Sequence, residues 1–275
     1  MNNLYHQTQD KTNTFLADRG ARKNGVWNPD YKHFVKILDL DRSHPAAEYL
    51  RSRYVPQSRW ADIWYCDNFL GYSTELLSTG LLERIVDPTI NPDSGADARI
   101  VFVSRKPDGT VTGLNTRKLT AVYGDMDRYI TLEASPTDDR WVLWGEDRVD
   151  KSKTVWIVEA PLDALLIPNA TAICGLSGIV KRIPELKQTF PDFVLVIDNE
   201  PKNFFVADTY RLVIEAGAKI VIWPLDVPQK DFGELMAAGW TEQAIHNMLT
   251  SRTYSDSSAL LEWWEWKEHI RYVKS

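Results

Sequence analysis

The chain has 275 residues, of which 44% are hydrophobic and 25% are charged, and its formal net charge is −6. This length and apolar content allow one large domain or two modest ones, each with a real core. The sequence has no apolar run approaching about twenty residues and no signal peptide, which predicts a soluble intracellular protein without a membrane partner. Its two cysteines, Cys66 and Cys174, lie far apart. We therefore expect a reducing compartment, no disulfide framework and no cysteine-based zinc module.

Positive charge is concentrated near the N-terminus. Residues 19–59 hold nine Lys or Arg against four Asp or Glu, an excess of five, so the remainder of the chain carries −11. A basic segment of this kind suits phosphate binding, although the overall negative charge argues weakly against broad nucleic-acid binding. The alternative is that these charges only solvate ordinary helix faces.

The first predicted helix follows a polar N-terminus. Residues 1–14 lack an apolar period, which indicates a loose or partner-dependent terminus. Residues 39–54 are predicted to be helical, with Ser43 as the cap and Pro45 in the first turn. Apolar and aromatic residues recur there at helical spacing, namely Ala46, Tyr49, Leu50 and Tyr54.

An aromatic run comes next, between Trp60 and Phe69, and includes Trp64 and Tyr65. Such density is typical of a core or a subdomain interface, and the alternative is a platform that stacks on the bases of a single strand. By composition, residues 87–97 form a loop.

A hairpin is predicted over residues 99–119. An apolar strand leads to a turn at Pro107, Asp108 and Gly109, and a strand with alternating polarity returns. A further strand is expected at 140–143. The polar stretch 145–153 then marks a boundary between an N-terminal α+β part, 1–145, and a second domain, 146–250.

The second domain is predicted to be α/β, because strands alternate with helices along it. We expect strands at 155–158, 170–174, 193–197 and 219–223, and helices at about 161–167, 179–189, 202–216 and 241–249. This alternation implies a mostly parallel sheet flanked by helices. Residues 255–272, rich in tryptophan, are predicted to form a C-terminal amphipathic helix in the segment 251–275, docked on its own protein or on a partner.

Acidic residues follow two of these predicted strands. Glu159 comes after the first, and Asp198 and Glu200 come after the third. Ligands bind beyond the carboxyl ends of parallel strands, and converging carboxylates repel unless a cation lies between them. The pattern indicates a magnesium site, but spacing alone equally allows these residues to cap the following helices, where Pro161 and Pro201 stand.

The sequence of this region resembles the Toprim domain, which carries a glutamate after its first strand and an Asp-x-Asp after a later one. Here these are Glu159 and Asp198-Asn199-Glu200, with glutamate in the last place. The stretches VEAPLDALLIPNA, VIDNEPKN, IVIWP and KDFGELMAAG resemble more narrowly the primase subunits of large tailed bacteriophages. HPAAEYLRSRYVP resembles the segment that opens the polymerising core of these primases, with Tyr54 where that pattern has glycine.

The resemblance implies a primase-type nucleotidyltransferase that makes short RNA primers on single-stranded DNA. Asp198 and Glu200, with Glu159, would hold Mg²⁺ or Mn²⁺, with Asp163 as an additional or supporting ligand. Glu159 is alternatively the general base. Lys230 would neutralise charge on the phosphates, and Asp231 matches the family's KDxND block, in which Gly233 and Glu234 here replace the usual Asn-Asp.

Other candidates for contacting template or nucleotide lie outside the acidic set. Arg105, Lys106, Arg117 and Lys118 of the hairpin are basic, and Arg117 is the first choice because its planar fork suits phosphate. The alternative is ordinary surface charge on a hairpin. Backbone amides at Gly175, Ser177 and Gly178 could cradle phosphate. No Walker-type loop is present, so we expect no ATPase motor.

The family implies particular partners and a particular compartment. We expect a single-stranded DNA template, ribonucleoside triphosphates, a replicative helicase or other replication protein, and the host cytoplasm. This chain has too few cysteines for the family's zinc-binding module, so we expect no zinc. A Toprim nuclease and a non-catalytic DNA-binding or structural relative remain as alternatives.

Overall fold

A computed structural model of the chain describes residues 33–78, 97–120, 128–133 and 143–269. The predictions for residues 1–14, for most of the loop 87–97 and for most of the strand 140–143 therefore fall outside the described residues. Within the described ranges, every helix is too short or too polar to cross a bilayer.

The N-terminal part contains an antiparallel sheet in the order β1-β2-β3-β4-β5. The strands are β1 (Val35–Lys36), β2 (Ile63–Cys66), β3 (Arg99–Arg105), β4 (Val111–Lys118) and β5 (Tyr129–Glu133), and the accompanying helices are α1 (Pro45–Ser52) and α2 (Phe69–Ser78). Alternate side chains of β3 pack into two different hydrophobic cores. Val101 and Val103 pack with α2, whereas Ile100 and Phe102 join the larger core shared with the second sheet. Burial of both faces explains the continuous apolar run in this strand.

The predicted hairpin is confirmed as β3 and β4. Gly109 has φ of +85°, and its backbone N–H donates to the carbonyl of Lys106 at 2.9 Å, which closes the turn. A positive φ of this size is readily adopted by glycine alone, so Gly109 sets the position of the turn.

Helix α1 differs from its prediction at both ends. It begins at Pro45, and the cap is His44, whose Nδ1 accepts from the backbone N–H of Ala46 at 3.2 Å. The prediction of Ser43 as the cap is wrong, because the Ser43 hydroxyl donates instead to Asp41. The start at residue 39 is also wrong, since the chain forms a separate 3-10 turn at Ile37–Asp39.

A Schellman-type turn ends α1. The N–H of Val55 donates to the carbonyl of Leu50, and the N–H of Tyr54 donates to Arg51. This geometry places Tyr54 at φ +60°, in the left-handed region that favours glycine. The family pattern with glycine at this position is therefore explained by backbone conformation.

The aromatic run 60–69 belongs mainly to the core. Trp60 and Phe69 are buried, and the Trp60 indole donates to the Val55 carbonyl at 3.0 Å. Trp64 and Tyr65 are partly buried on β2. The base-stacking alternative is therefore not supported for Trp60 and Phe69.

The second sheet has the order β10-β9-β8-β6-β7, with β7, β6, β8 and β9 parallel and β10 antiparallel. Its strands are β6 (Val155–Val158), β7 (Ala170–Ala172), β8 (Phe193–Val196), β9 (Lys219–Val221) and β10 (Thr253–Tyr254). The helices are α3 (Pro161–Ala164), α4 (Ile179–Thr189), α5 (Phe204–Glu215), α6 (Phe232–Ala237), α7 (Glu242–Ser251) and α8 (Asp256–Glu268). The predicted mostly parallel sheet is confirmed.

Several elements in or beside this sheet are shorter than predicted, among them β9, which ends at Val221 rather than at residue 223, and α5, which begins at Phe204 rather than at about residue 202. Helix α3 ends at Ala164, and it cannot continue through Ile167 to Asn169 because Pro168 disfavours helical conformation in the residue before it and Asn169 has φ of +56°. Strand β7 ends at Ala172, two residues before Cys174, which has φ of +56°. Helix α8 begins within one residue of its prediction, and residues beyond 269 are not described.

One hydrophobic core joins the two sheets. Trp144 exchanges two backbone hydrogen bonds with Ala172 of β7, both at 2.9 Å, and its ring meets Phe102 of β3 at 5.7 Å. The proposed boundary near residue 145 stays a prediction, since Trp144 contacts both sides.

The strained Tyr54 gives a test of the fold. Tyr54→Gly should raise the free energy of unfolding by at most about 1 kcal/mol, because relief of left-handed strain outweighs the added entropy of the unfolded chain. Urea denaturation measures the change. Tyr54→Ala retains the strain and loses only a half-exposed ring, so an equal gain in that variant would contradict the explanation.

Candidate metal site and its surroundings

The acidic residues named from the sequence meet at the carboxyl edge of the second sheet. Strands β6 and β8 are parallel neighbours, with Val158 opposite Val196. Glu159 and Asp198 follow them, and the Glu159 carboxylate accepts a hydrogen bond from the backbone N–H of Asp198 at 2.9 Å. The expected convergence of these two residues is therefore present.

The helix-capping alternative does not fit the contacts. Helix α3 starts after Ala160 without any side-chain cap, and Asn203 caps α5 through its side-chain oxygen. Glu200 lies outside that cap and accepts from the Asn203 amide at 2.7 Å. The acidic residues therefore lie at the edge of the sheet and do not cap the helices that follow.

Lys230 lies among these carboxylates. Its ammonium forms an ion pair with Asp198 at 3.6 Å and a second, closer pair with Glu200. The Lys230 carbonyl also accepts from the N–H of Asn199 at 2.8 Å. The loop before α6 is thereby fixed against the acidic loop.

Asp163 of α3 supplies a further carboxylate near the carboxyl edge of the second sheet. Only 8% of its surface is exposed, and its Oδ1 has no hydrogen-bond partner. Burial, followed by the charges of Asp198 and Asp231, raises the pKa of Asp163 well above its ordinary value. An orphaned carboxylate oxygen of this kind suits a cation or its water shell.

Asp231 has a structural role at the start of α6. Its Oδ1 accepts from the N–H of Glu234 at 2.8 Å, and its Oδ2 lies 3.6 Å from Nη2 of Arg53. A Cβ at Gly233 would come within 2.8 Å of the same guanidinium nitrogen. Glycine in place of the family's asparagine therefore leaves room for Arg53.

The carboxylates differ in proton affinity. Burial, with the Asp198 charge second, raises the pKa of Glu159 to about 8. Burial also raises the pKa of Asp198 to about 7, although Lys230 opposes the shift. The pKa of Glu200 lies below its ordinary value, because hydrogen bonds from Lys230 and Asn203 outweigh its burial. Negative charge is thus costly at Glu159 and Asp198 without a further cation.

The residues present fit a divalent metal in the chemistry of their donor atoms. Oxygen donors from Glu159, Asp198, Glu200 and Asp163 surround one corner of the sheet, and Mg²⁺ prefers such ligands. Within the described ranges, no three Asp, Glu, His or Cys side chains are yet grouped closely enough to hold an ion. Lys230 instead pairs with two of them, so coordination requires its ammonium to move aside.

Arg117 brings the first sheet into electrostatic reach of this corner. It is 6% exposed, its Nε donates to the Tyr49 hydroxyl at 3.0 Å, and its guanidinium lies over the Tyr129 ring at 4.7 Å. Nη1 has no hydrogen-bond partner. Burial raises the pKa of Tyr129, and Asp163 and Arg53 lie close enough to act on the same hydroxyl.

The structure does not bring all four basic residues of the hairpin together. Arg105 pairs with Val111 at the turn, six residues along β4 from Arg117, which is about 20 Å in a strand. Lys106 lies in the turn, and Lys118 ends β4 beside Arg117. Of these four residues, Arg117 is the one whose contact with Tyr129 relates it to the acidic corner, and Arg105 and Lys106 lie at the far end of the hairpin.

Two glycines in the turn after β7 have positive φ angles. Gly175 and Gly178 have φ of +131° and +79°, and the space where either would carry a side chain is open. Gly178 precedes α4 without a side-chain cap. Ser177 is exposed between them. The phosphate role of this turn stays a prediction.

Arg53, Asn199 and Tyr129 are site residues that sequence reasoning missed. Arg53 and Tyr129 reach the acidic corner from a distant part of the chain, whereas Asn199 lies within the acidic motif and contacts the loop that carries Lys230. Arg53 stands in the segment RSRYVP and Asn199 in the middle of the Asp-x-Glu, so both lay inside motifs already singled out. Nothing in the local pattern of either motif indicated the contact.

Comparison with known proteins places this geometry in context. No family model matches the chain. The DNA primase of Enterobacteria phage T4 is 25% identical over 190 residues, which cover 69% of this chain and 50% of the phage protein. The chain thus spans about half the length of the curated relative that it matches.

Solved primase cores have the same fold. A DNA primase domain from Pseudomonas aeruginosa aligns with a TM-score of 0.61 and 17% identity, over 87% of this chain and 80% of that one. A DnaG primase catalytic domain bound to single-stranded DNA aligns with a TM-score of 0.56 and 16% identity, over 94% and 83%. The two sheets and their helices therefore form the fold of a primase catalytic core.

The raised proton affinity of Glu159 predicts how stability depends on pH. The folded chain keeps this proton between the ordinary pKa of 4.5 and about 8, whereas the unfolded chain loses it. The free energy of unfolding should therefore fall as pH rises through this interval when no divalent metal is present. Glu159→Gln retains an oxygen acceptor for Asp198 but cannot ionise, so it should be more stable than wild type at pH 8 and similar at pH 5.

Urea denaturation in chelator at pH 5, 6.5 and 8 measures this difference. Adding Mg²⁺ at pH 8 should stabilise wild type more than Glu159→Gln. A constant difference between the two proteins across the pH range would contradict the assignment of the proton to Glu159.

Proposed function

We propose that this chain is a primase-type nucleotidyltransferase that synthesises short RNA primers on single-stranded DNA with Mg²⁺ or Mn²⁺. The observation that carries the proposal is the meeting of Glu159, Asp198 and Lys230 at the carboxyl ends of β6 and β8. The similarity to a phage DNA primase and the primase-core fold support it.

The divalent metal would be held by Asp198 and Glu200, together with Glu159. Asp163 would act as a further ligand or would bind the metal's water. When bound, the metal would supply positive charge that stabilises the phosphates and lowers the pKa of the attacking hydroxyl. The orphaned oxygen of Asp163 and the raised pKa of Asp198 support this set.

Glu159 is suited to a second role as general base. Burial raises the pKa of Glu159, which makes its carboxylate a stronger proton acceptor than that of an ordinary glutamate. Its hydrogen bond to the Asp198 backbone orients the carboxylate at the mouth of the sheet. Removing the 3′ hydroxyl proton and binding metal are alternative uses of the same position.

Lys230 and Arg117 would stabilise the phosphates. Lys230 balances Asp198 and Glu200 in the structure, and a metal at those oxygens would release its ammonium toward the triphosphate. Arg117 presents an unpartnered Nη1 from a guanidinium held by two tyrosine rings. The phosphates of the template backbone would be contacted by the other basic residues of the hairpin, namely Arg105, Lys106 and Lys118. Backbone amides for a phosphate would come from the turn that contains Gly175, Ser177 and Gly178.

The partners follow from the same proposal. They are a single-stranded DNA template, ribonucleoside triphosphates and a replicative helicase or other replication protein, in the cytoplasm of a phage host. A bacterial-type primase domain with this fold has been solved bound to single-stranded DNA. That structure supports the template assignment by analogy of fold.

Template-directed synthesis tests the proposal directly. The purified chain, given single-stranded DNA, four ribonucleotides and Mg²⁺, should produce short RNA. Glu159→Gln and Asp198→Asn should each lower the rate about 100-fold or more, because general base catalysis and metal binding are lost. Asp208→Asn, which removes an exposed α5 carboxylate paired with Arg211, is the matched control and should retain activity.

Two outcomes would overturn the assignment. Full activity in Glu159→Gln or Asp198→Asn would remove those carboxylates from the chemistry. Shortening of the DNA without RNA synthesis, sensitive to the same variants, would show a nuclease instead.

Arg117 gives a second test. Arg117→Lys keeps the charge but loses the planar fork and the stack on Tyr129, so the KM for nucleotide or template should rise about tenfold with a smaller change in kcat. Arg105→Lys makes the same exchange at the other end of the hairpin and serves as the comparison. Equal effects of the two variants would refute a special role for Arg117.

A further inference from the structure

Three aromatic side chains hold the loop that carries Asp198 and Glu200. The Tyr210 hydroxyl and the Trp223 indole both donate to the Ile197 carbonyl, at 2.9 and 2.7 Å. The Trp266 indole donates to Oδ1 of Asn199 at 2.8 Å. Tyr210 lies in α5, and Trp223 lies two residues after β9. Trp266 lies in α8, far along the chain.

Asn199 connects this loop to two other segments. Its side-chain amide donates to the carbonyls of Val227 and Gln229 at 2.8 and 2.9 Å. Its backbone N–H donates to the Lys230 carbonyl at 2.8 Å. A single residue between Asp198 and Glu200 thus links the acidic loop, the loop that carries Lys230, and α8.

Trp266 completes the hydrogen bonding of the Asn199 amide. The two carbonyls of Val227 and Gln229 need a donor, so Nδ2 faces them and Oδ1 faces away. The Trp266 indole is the donor that satisfies Oδ1, and its position is fixed by packing. The residue is 2% exposed, and its ring lies 4.6 Å from that of Tyr210.

The geometry of the loop relates this contact to the carboxylates. A tight turn centred on Asn199 holds the two acidic residues together, because the backbone N–H of Glu200 donates to the Asp198 carbonyl at 2.9 Å. Asp198 and Glu200 both reach Lys230, whereas the Asn199 side chain reaches Trp266 and the backbone behind the loop. Rotation at Asn199 would therefore move both carboxylates together.

We propose that Trp266, acting through Asn199, is a positioning residue that sets the placement of Asp198 and Glu200 for metal binding. The inference rests on the proposed function, since it concerns the same carboxylates. It makes α8 a working part of the site rather than an appended helix. Groups that orient metal ligands from behind commonly change metal affinity 10- to 100-fold when removed.

Helix α8 offers a matched control for this contact. The Trp263 indole donates to the Ala207 carbonyl at 2.9 Å and is also buried, on the same face of α8 as Trp266. Trp263→Phe and Trp266→Phe each remove one indole donor and keep an aromatic ring. Only Trp266→Phe removes a bond to the acidic loop.

The experiment compares these two variants with wild type in three measurements. They are Mn²⁺ and Mg²⁺ affinity by calorimetry without nucleotide, amide hydrogen exchange over residues 197–200, and the Mg²⁺ concentration that half-saturates primer synthesis. Trp266→Phe should weaken metal affinity about tenfold or more, speed exchange in the loop, and raise the half-saturating Mg²⁺ concentration. Its kcat at saturating Mg²⁺ should change less, and Trp263→Phe should match wild type in all three.

Asn199→Ser removes the acceptor from the other side of the bond and should change metal affinity in the same direction as Trp266→Phe. It keeps the test available if Trp266→Phe does not fold. Equal effects of Trp266→Phe and Trp263→Phe on metal affinity, or no effect of Trp266→Phe, would overturn the inference. Weaker metal affinity in Trp266→Phe alone, with no primer synthesis even by wild type, would support the inference and overturn the proposed function.

Discussion

Like charges held together, partly buried, at the end of a parallel sheet are the constraint around which the second sheet and its loops are arranged. Glu159 and Asp198 lie on adjacent strands, and burial makes the ionised form of each costly. The protein offsets this cost in part, with the ammonium of Lys230 and the backbone N–H that Glu159 accepts. The remaining negative charge is the physical basis of the proposed binding of a divalent cation at this corner.

The first sheet adds positive charge to the same corner by the way the two sheets are joined. Trp144 holds the sheets together through Ala172 and Phe102. Arg59 strengthens the contact by donating to the Leu165 carbonyl and pairing with Glu242 of α7. These contacts fix the two sheets relative to each other. Arg117 and Arg53 are therefore held near Asp163 and Asp231 by the packing of the fold.

The parts of this arrangement that the sequence predicted are those with a local physical signal. The runs 155–158 and 193–197 are apolar throughout because both faces of a central parallel strand are covered, and a charge directly after such a run marks the end of the strand. Glu159 and Asp198 were found in this way. The ends of α1 were not, because Ser43 and His44 are both able to cap and only the folded contacts decide between them.

The supporting contacts were beyond sequence reasoning for a different reason. Trp266 meets Asn199 across 67 positions, and no period or motif relates two such residues. In the sequence, the tryptophans of α8 indicate only an apolar helix, and its exposed Trp264 looks the same as the buried Trp266. Which tryptophan reaches the site depends on how α8 packs on α5, which is a tertiary property.

The narrow space at Gly233 links two distant positions in the evolution of such chains. A side chain at 233 and the guanidinium of Arg53 compete for the same volume, since a Cβ there would lie 2.8 Å from Nη2. A lineage that acquires asparagine at 233 must reposition or replace the arginine, and one that keeps this arginine conformation must keep glycine. The orientation of Arg53 toward Asp231 therefore depends on the absence of a side chain 180 positions away.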